Sequence, residues 1–312
     1  PGYVDELKQK VSLKVTELLN QIAPMGECNL VKEVSQQLPI YTLSEILGIP
    51  DEDRQKLVSW MEFLELAQYF TYEMIKEQNE GKTDSTPDPA MIDMFNVMID
   101  EMFDYGRFIL KNKRKHPSND LLSAIANAKI KGQELSDEFL DGSWLLIIFA
   151  GNDTTRNTMS GGIKLLHDNQ HQKELLINNH DLLPGFINET VRCVSPVIHM
   201  RRTSLIETEI GGQKIGPHEK IALWYGAANR DPEIFDKPDE FNIQRENAEK
   251  HLAFGIGRHT CLGKPIALMQ LNEFYSQFLK RFPDFEMNGE WKVAPNNFVH
   301  AIQEMPIKFT KE

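Results

Sequence analysis

Apolar side chains recur every three to four positions over residues 3–22 (Val4, Leu7, Val11, Val15, Leu18, Leu19), and Pro24 with Gly26 ends the run. That spacing lines one face of a helix. A second helix is predicted over 31–47, interrupted near Pro39 and stopped at Gly48, and Pro50-Asp-Glu-Asp opens a third over 54–77. Residues 81–89 (GKTDSTPDP) lack periodicity and predict a loop. Helices follow over 90–115, from a cap at Asn119 to residue 129, from Ser136 to His167, and over 169–178 and 184–194. Ser136 and the acidic pair behind it suit a helix start. After Pro196 the pattern turns to strands at 198–203, 207–210 and 221–225, with turns at Gly211-Gly212 and Gly216-Pro217. Residues 229–250 are irregular, a helix is predicted over 264–282, and 298–302 and 307–309 read as strands. The fold class is therefore mainly α with small β-sheets, without internal repeats.

Composition narrows the function classes. The 312 residues suffice for one large domain or two ordinary ones, and 41% apolar content supports a sizeable core. A net charge of −12 argues against nucleic-acid binding through a basic field. The dense basic cluster Lys113-Arg114-Lys115 reads as a solvated helix end. Three cysteines, at 28, 193 and 261, without CxxC spacing, fit neither a disulfide scaffold nor a zinc ribbon. The longest apolar run, 144–150, is too short for a membrane span, and no signal peptide is visible, so a cytoplasmic location is the default expectation.

Three short stretches carry candidate chemistry. The first is His251-Leu-Ala-Phe-Gly-Ile-Gly-Arg-His-Thr-Cys-Leu-Gly263, directly before a predicted helix. Gly255, Gly257 and Gly263 permit tight turns and close approach of a bulky group. A helix N-terminus beside Cys261 favours a thiolate. The plainer alternative is a glycine turn around a small apolar cysteine. The second is Ala150-Gly-Asn-Asp-Thr-Thr155 within the long helix. Gly151 there costs about 1 kcal/mol relative to alanine, which a close-approaching planar ligand would explain. The Thr154 hydroxyl can bond back to a carbonyl one turn earlier and open the helix, and Asp153 would put a proton source at that opening. An ordinary bent helix is the alternative. The third is Glu189-Thr-Val-Arg192, an i, i+3 pair that by itself reads as a solvated surface pair.

In their order along the chain (150–155, 189–192, 251–263), the three motifs resemble the cytochrome P450 family, whose haem-binding signature is Phe-x-x-Gly-x-x-x-Cys-x-Gly. The resemblance covers essentially the whole chain. It implies the haem-thiolate fold and haem b, with Cys261 as axial ligand of the iron. It further implies that Ala150, Gly151, Phe254, Gly255 and Gly263 line the haem. Arg202 (or Arg201 in its place) and His259 would pair with the propionates, and His251 would play a minor part. Thr154 would orient dioxygen and Asp153 would relay protons. Glu189, Arg192 and Arg245 would form a buried structural triad.

The implied activity is monooxygenation of an apolar substrate, with electrons from NAD(P)H through a ferredoxin reductase and a ferredoxin. Lys250, Arg258 and Lys264 are candidates for the ferredoxin patch. The segments around Asp153, His199 and Asn297 look most similar to hydroxylases of medium-chain alkanes and fatty acids, and overlap with steroid and terpene hydroxylases. Val197, Ile198, Phe298, Val299 and Phe149 are candidate pocket residues. A peroxide-driven peroxygenase is disfavoured by the acid–alcohol pair, and a non-catalytic haem sensor would not need one. The family pattern also implies helices and a small sheet ahead of Pro1, so the chain reads as one domain, 1–312, lacking the N-terminal part of the fold.

Overall fold

A computed structural model of the chain describes residues 2–80 and 89–312. Its helices are α1 (Gly2–Ile22), α2 (Gln37–Leu47), α3 (Arg54–Asn79), α4 (Pro89–Lys115), α5 (Leu121–Ala126), α6 (Asp137–Asp168), α7 (Gln170–Asn178), α8 (Leu183–Val194), α9 (Tyr225–Ala228) and α10 (Lys264–Arg281). The strands are short: β1 (Glu27–Asn29), β2 (Lys129–Ile130), β3 (Gln133–Glu134), β4 (His199–Thr203), β5 (Thr208–Ile210), β6 (Gln213–Ile215), β7 (Lys220–Trp224), β8 (Glu286–Met287), β9 (Lys292–Val293), β10 (Ile302–Glu304) and β11 (Pro306–Lys308). All pairings among them are antiparallel. The order β1-β11-β8 sets Cys28 opposite Ile307, and β4 runs against β7 with Arg202 opposite Ile221.

The fold is organised around α6, which threads two apolar clusters. Its first half gives Leu140, Trp144 and Ile148 to a cluster with α2, α3, α4 and α5. Its second half gives Met159, Ile163 and Leu166 to a larger cluster with α1, α8 and α10. The joint between the halves is polar and buried: Asn152, Asp153, Thr155, Arg156, Asn157 and Thr158 all lie there. Close approach of α10 needs a glycine at position 162. A Cβ there would come within 2.1 Å of the Tyr275 hydroxyl, which donates to the Thr158 and Met159 carbonyls at 2.8 and 3.0 Å.

Several local expectations are corrected. The break in the second helix falls at a π-helical turn, Val31–Ser35, and Pro39 sits in the first turn of α2, where its missing N–H costs nothing. Asp120, not Asn119, caps α5, accepting the Ser123 N–H at 2.7 Å, and that helix ends at Ala126. Lys113 and Arg114 are not a solvated end. Lys113 pairs with Asp120 at 2.5 Å, and Arg114 donates to the Ala126 and Leu135 carbonyls. Residues 298–302 do not form a continuous strand. Asn296 Oδ1 takes the N–H groups of Phe298 and Val299, leaving one isolated bridge from Val299 to Val197. The predicted loop over 81–89 lies outside the described residues except Pro89, which begins α4.

Candidate active site

Cys261 lies in a loop built by backbone hydrogen bonds. The Gly255 N–H donates to the Leu252 carbonyl at 2.8 Å, and the Cys261 N–H donates to the Phe254 carbonyl at 2.7 Å. Gly255 has φ +69°, and a Cβ there would stand 2.7 Å from the His259 carbonyl oxygen, so both conformation and space require glycine. The loop passes through Gly263, the N-cap of α10, so Cys261 sits just ahead of the amide-rich end of an eighteen-residue helix.

Among the three cysteines only Cys261 is exposed. Burial pushes the Cys28 thiol up to about 12 and the Cys193 thiol up to about 11, so neither forms a thiolate near neutrality. A Cβ at Gly263 would sit 3.8 Å from the Cys261 sulfur, a flank the glycine leaves bare. In the same loop Ile256 and Leu262 hold apolar side chains in solvent, at 73% and 84% exposure. A single accessible sulfur among bare glycine and exposed apolar groups fits a large flat apolar macrocycle. Arg202 and His259 show no carboxylate partner among the described residues and are available to its acidic groups. No cluster of three or more His, Cys, Asp or Glu side chains there could hold a bare metal ion. The residues present therefore fit haem. Phe254 is half-buried, its ring 5.6 Å from that of His251 and 5.5 Å from Lys264 Nζ.

The middle of α6 carries three side-chain bonds back to its own carbonyls. Thr154 Oγ1 donates to Ala150 at 3.2 Å, Asn157 Nδ2 to Asp153 at 2.7 Å, and Thr158 Oγ1 to Thr154 at 2.7 Å. Such bonds compete with the helix ladder and bend it. Asn157 Oδ1 also accepts the Ile302 N–H at 2.7 Å, tying this segment to β10. Asp153 is buried. Its Oδ1 accepts from Asn152 at 2.9 Å and lies 3.5 Å from the Arg156 guanidinium. Burial raises its pKa above the usual carboxylate value, and Arg156 and Asn152 only partly oppose the shift. Ala150 is exposed. The Cβ direction of Gly151, by contrast, points at Leu43 of α2, 3.0 Å away, so close helix packing is the reason the structure supplies for this glycine.

Glu189, Arg192 and Arg245 come together, and not on a solvated face. Arg192 donates to both carboxylate oxygens of Glu189 at 2.7 Å, and both side chains are fully buried. Arg245 Nε lies 3.1 Å from each of the same oxygens, and the Asn242 N–H adds a fourth donor group at 3.0 Å. Burial works against charge on Arg192, yet the Glu189 bonds leave its pKa raised. Among the candidate pocket residues, Phe149 of α6 stacks on Phe298 at 5.9 Å, and the Ile198 N–H donates to the Phe298 carbonyl at 2.8 Å.

Sequence reasoning missed Asn229 and Ser195 as organisers of the site. They bond each other 34 positions apart, and no local periodicity announces such a contact.

Comparison with known proteins places these features in a family. The family model described as Cytochrome P450 matches residues 54–309. The chain is 32% identical to a steroid C26-monooxygenase of Mycolicibacterium smegmatis over 295 residues, 94% of this chain and 70% of that protein. It is 30% identical to the linalool 8-monooxygenase of Pseudomonas putida, over 98% of this chain and 71% of that one. Among solved structures, CYP109E1 from Bacillus megaterium in complex with testosterone superposes with TM-score 0.83 at 29% identity, covering 99% of this chain and 80% of that one. P450BioI in complex with an acyl carrier protein bearing hexadec-9Z-enoic acid superposes equally well, at 28% identity over 99% and 76% of the two chains.

Proposed function

The chain belongs to the cytochrome P450 family of monooxygenases, and on that premise we propose that Cys261 holds the iron of haem b in an enzyme hydroxylating an apolar substrate. Bound haem with a thiolate ligand supplies reductive activation of O2: two electrons and two protons release one oxygen atom as water, and the other enters a substrate C–H bond. The observation that carries the reading is the solitary exposed sulfur of Cys261 at the start of α10, beside the bare flank of Gly263.

The chain's own residues have separate tasks. The loop bond from the Cys261 N–H to the Phe254 carbonyl sets the direction of the sulfur. Arg202 and His259 would bind the propionates and the exposed Ala150 would line the haem, whereas Gly151 lets α6 pack against Leu43. Asp153, whose raised pKa lets it keep a proton to higher pH, would give that proton up, and Arg156 and Asn152 would stabilise the carboxylate left behind. The hydroxyl of Thr154, next to Asp153 in the chain and held on the Ala150 carbonyl, would supply the hydrogen bond that guides this proton. Glu189, Arg192 and Arg245 keep the surrounding core rigid.

Electrons come from NAD(P)H through a reductase and a ferredoxin, with Lys250, Arg258 and Lys264 as its basic landing patch. The substrate is of steroid or terpene class, as in the two monooxygenases above. Medium-chain alkanes or fatty acids are the second reading, favoured by the fatty-acyl cargo in the P450BioI complex. Phe149, Phe298, Val197, Ile198 and Val299 would wall the pocket.

The test is the reduced, CO-bound absorption spectrum of the haem-loaded protein. A thiolate-type Soret band that disappears in Cys261→Ser is the expected result; an unaltered spectrum in that variant would refute the assignment. Binding spectra with a steroid, a monoterpene alcohol and a medium-chain fatty acid rank the substrate classes.

A further inference from the structure

We infer that Asn229 is a positioning residue that couples the buried Glu189–Arg192–Arg245 triad to the Cys261 loop; the inference rests on Cys261 being the haem ligand. Asn229 is fully buried just after α9, far in sequence from both groups, and every polar atom it has to offer at this point is engaged. Its backbone carbonyl accepts from Arg192 Nη1 at 2.8 Å. Its side-chain Oδ1 accepts the Leu252 N–H at 2.6 Å, and its Nδ2 donates to Ser195 Oγ at 2.8 Å. Ser195 Oγ donates in turn to the Arg192 carbonyl at 2.8 Å, so the triad's helix grips both ends of Asn229.

From Leu252 the line continues to the sulfur. The Leu252 carbonyl receives Gly255 at 2.8 Å, and the Phe254 carbonyl between them receives Cys261 at 2.7 Å. The adjoining Ala253 N–H is held by His251 Nδ1 at 3.2 Å, so the first turn of the loop is fixed at two successive amides. Leu252 is thus the point where the loop is fastened to the core, and Asn229 is the fastener.

Ser195 adds a second, independent observation. It caps α8 at φ +43°, a left-handed conformation that a non-glycine residue adopts at a cost, and it is buried. A glycine would take this backbone more readily but would have no hydroxyl to receive Asn229. The strain at Ser195 is accounted for by its hold on the Asn229 carboxamide.

A bond that only filled space would tolerate an apolar isostere, whereas a positioning bond needs the acceptor oxygen at one place. In haem-loaded protein, Asn229→Leu is expected to speed amide hydrogen exchange at Leu252 and Cys261 by about tenfold, the loss of one buried hydrogen bond. It should also convert much of the thiolate-type band in the reduced CO spectrum to the form lacking thiolate ligation. Asn229→Asp keeps an acceptor for Leu252 and should restore both readouts. Ser195→Ala, which frees only the anchor, should fall between them.

Unchanged exchange at Leu252 and Cys261 in Asn229→Leu would overturn the inference. So would equal damage in the Leu and Asp variants, which would indicate a loss of general packing. Failure of the ligand assignment itself is read separately, in the spectrum of Cys261→Ser, because exchange at Leu252 reports its own bond to Asn229 whichever residue binds iron.

Discussion

Glu189–Arg192 on α8 and Asp153–Arg156 on α6 are both acid–base pairs three residues apart on a buried helix face, yet their surroundings differ. Glu189 receives two bonds from Arg192, contacts from Arg245 and a backbone N–H, which satisfies its charge from several directions. Asp153 has one amide donor at 2.9 Å and a guanidinium at 3.5 Å, while the neighbouring Asn152 Oδ1 finds no partner among the described residues. The first arrangement holds charge permanently. The second leaves a carboxyl whose protonation is raised by burial and free to change. Identical spacing therefore says little; the number of converging donors decides whether a buried acid is scaffold or proton carrier.

The comparison can be broken at either pair. Removing one partner from the saturated pair has the largest expected effect. Arg192→Leu should lower unfolding stability by about 3–5 kcal/mol, because a buried charge loses its main partner. Denaturant midpoints with unchanged slope would check this, and a loss under about 1 kcal/mol would reduce the triad to the rank of a surface pair.

At the under-satisfied pair the effect should appear in turnover instead. Asp153→Asn should cost on the order of 100-fold in product formation, the lower end of what a positioned acid contributes. Its stability should move the other way. A carboxyl with a raised folded-state pKa adds stability below its unfolded value and loses it as pH rises through the folded one. The wild type should therefore weaken over that climb while Asp153→Asn does not, and melting curves at acid and neutral pH measure the difference.

Thr154→Ala is smaller again: several-fold less product per electron consumed, with binding of an apolar ligand unchanged. Equal coupling in the variant would mean that Thr154 serves only its bond to the Ala150 carbonyl within α6. The smallest effect belongs to Gly151→Ala. The new Cβ meets only the flexible end of Leu43 at 3.0 Å, and alanine favours the helix, so stability should stay within about 1 kcal/mol. A shifted haem spectrum without a stability change would show that Gly151 faces the macrocycle after all.

The helices were largely legible before any coordinates because their apolar spacing and punctuation are local. Ser136 caps α6, Gly48 ends α2 with φ +64°, and α10 starts at Lys264 behind Gly263. The three chemical motifs were legible for the same reason, being contiguous strings of residues. The weak points were features that depend on distant partners. β1 pairs with β11 across most of the chain, Cys28 opposite Ile307. Residues 298–302 look like a strand but lose their ladder to Asn296. Lys113 and Arg114 look solvated but bind Asp120 and the Ala126 and Leu135 carbonyls.

By itself the sequence determined a mainly helical chain with a glycine-flanked cysteine loop and a polar stretch in its longest helix, and the family resemblance added the three members of the ion triad. Only the tertiary structure decided which cysteine stays in solvent, which of two like-spaced acids is saturated, and that Asn229 joins the triad to the loop. The physical reason is range. Backbone propensity, capping and periodicity act over a few residues, whereas burial and hydrogen-bond convergence depend on segments brought together only when the chain has closed.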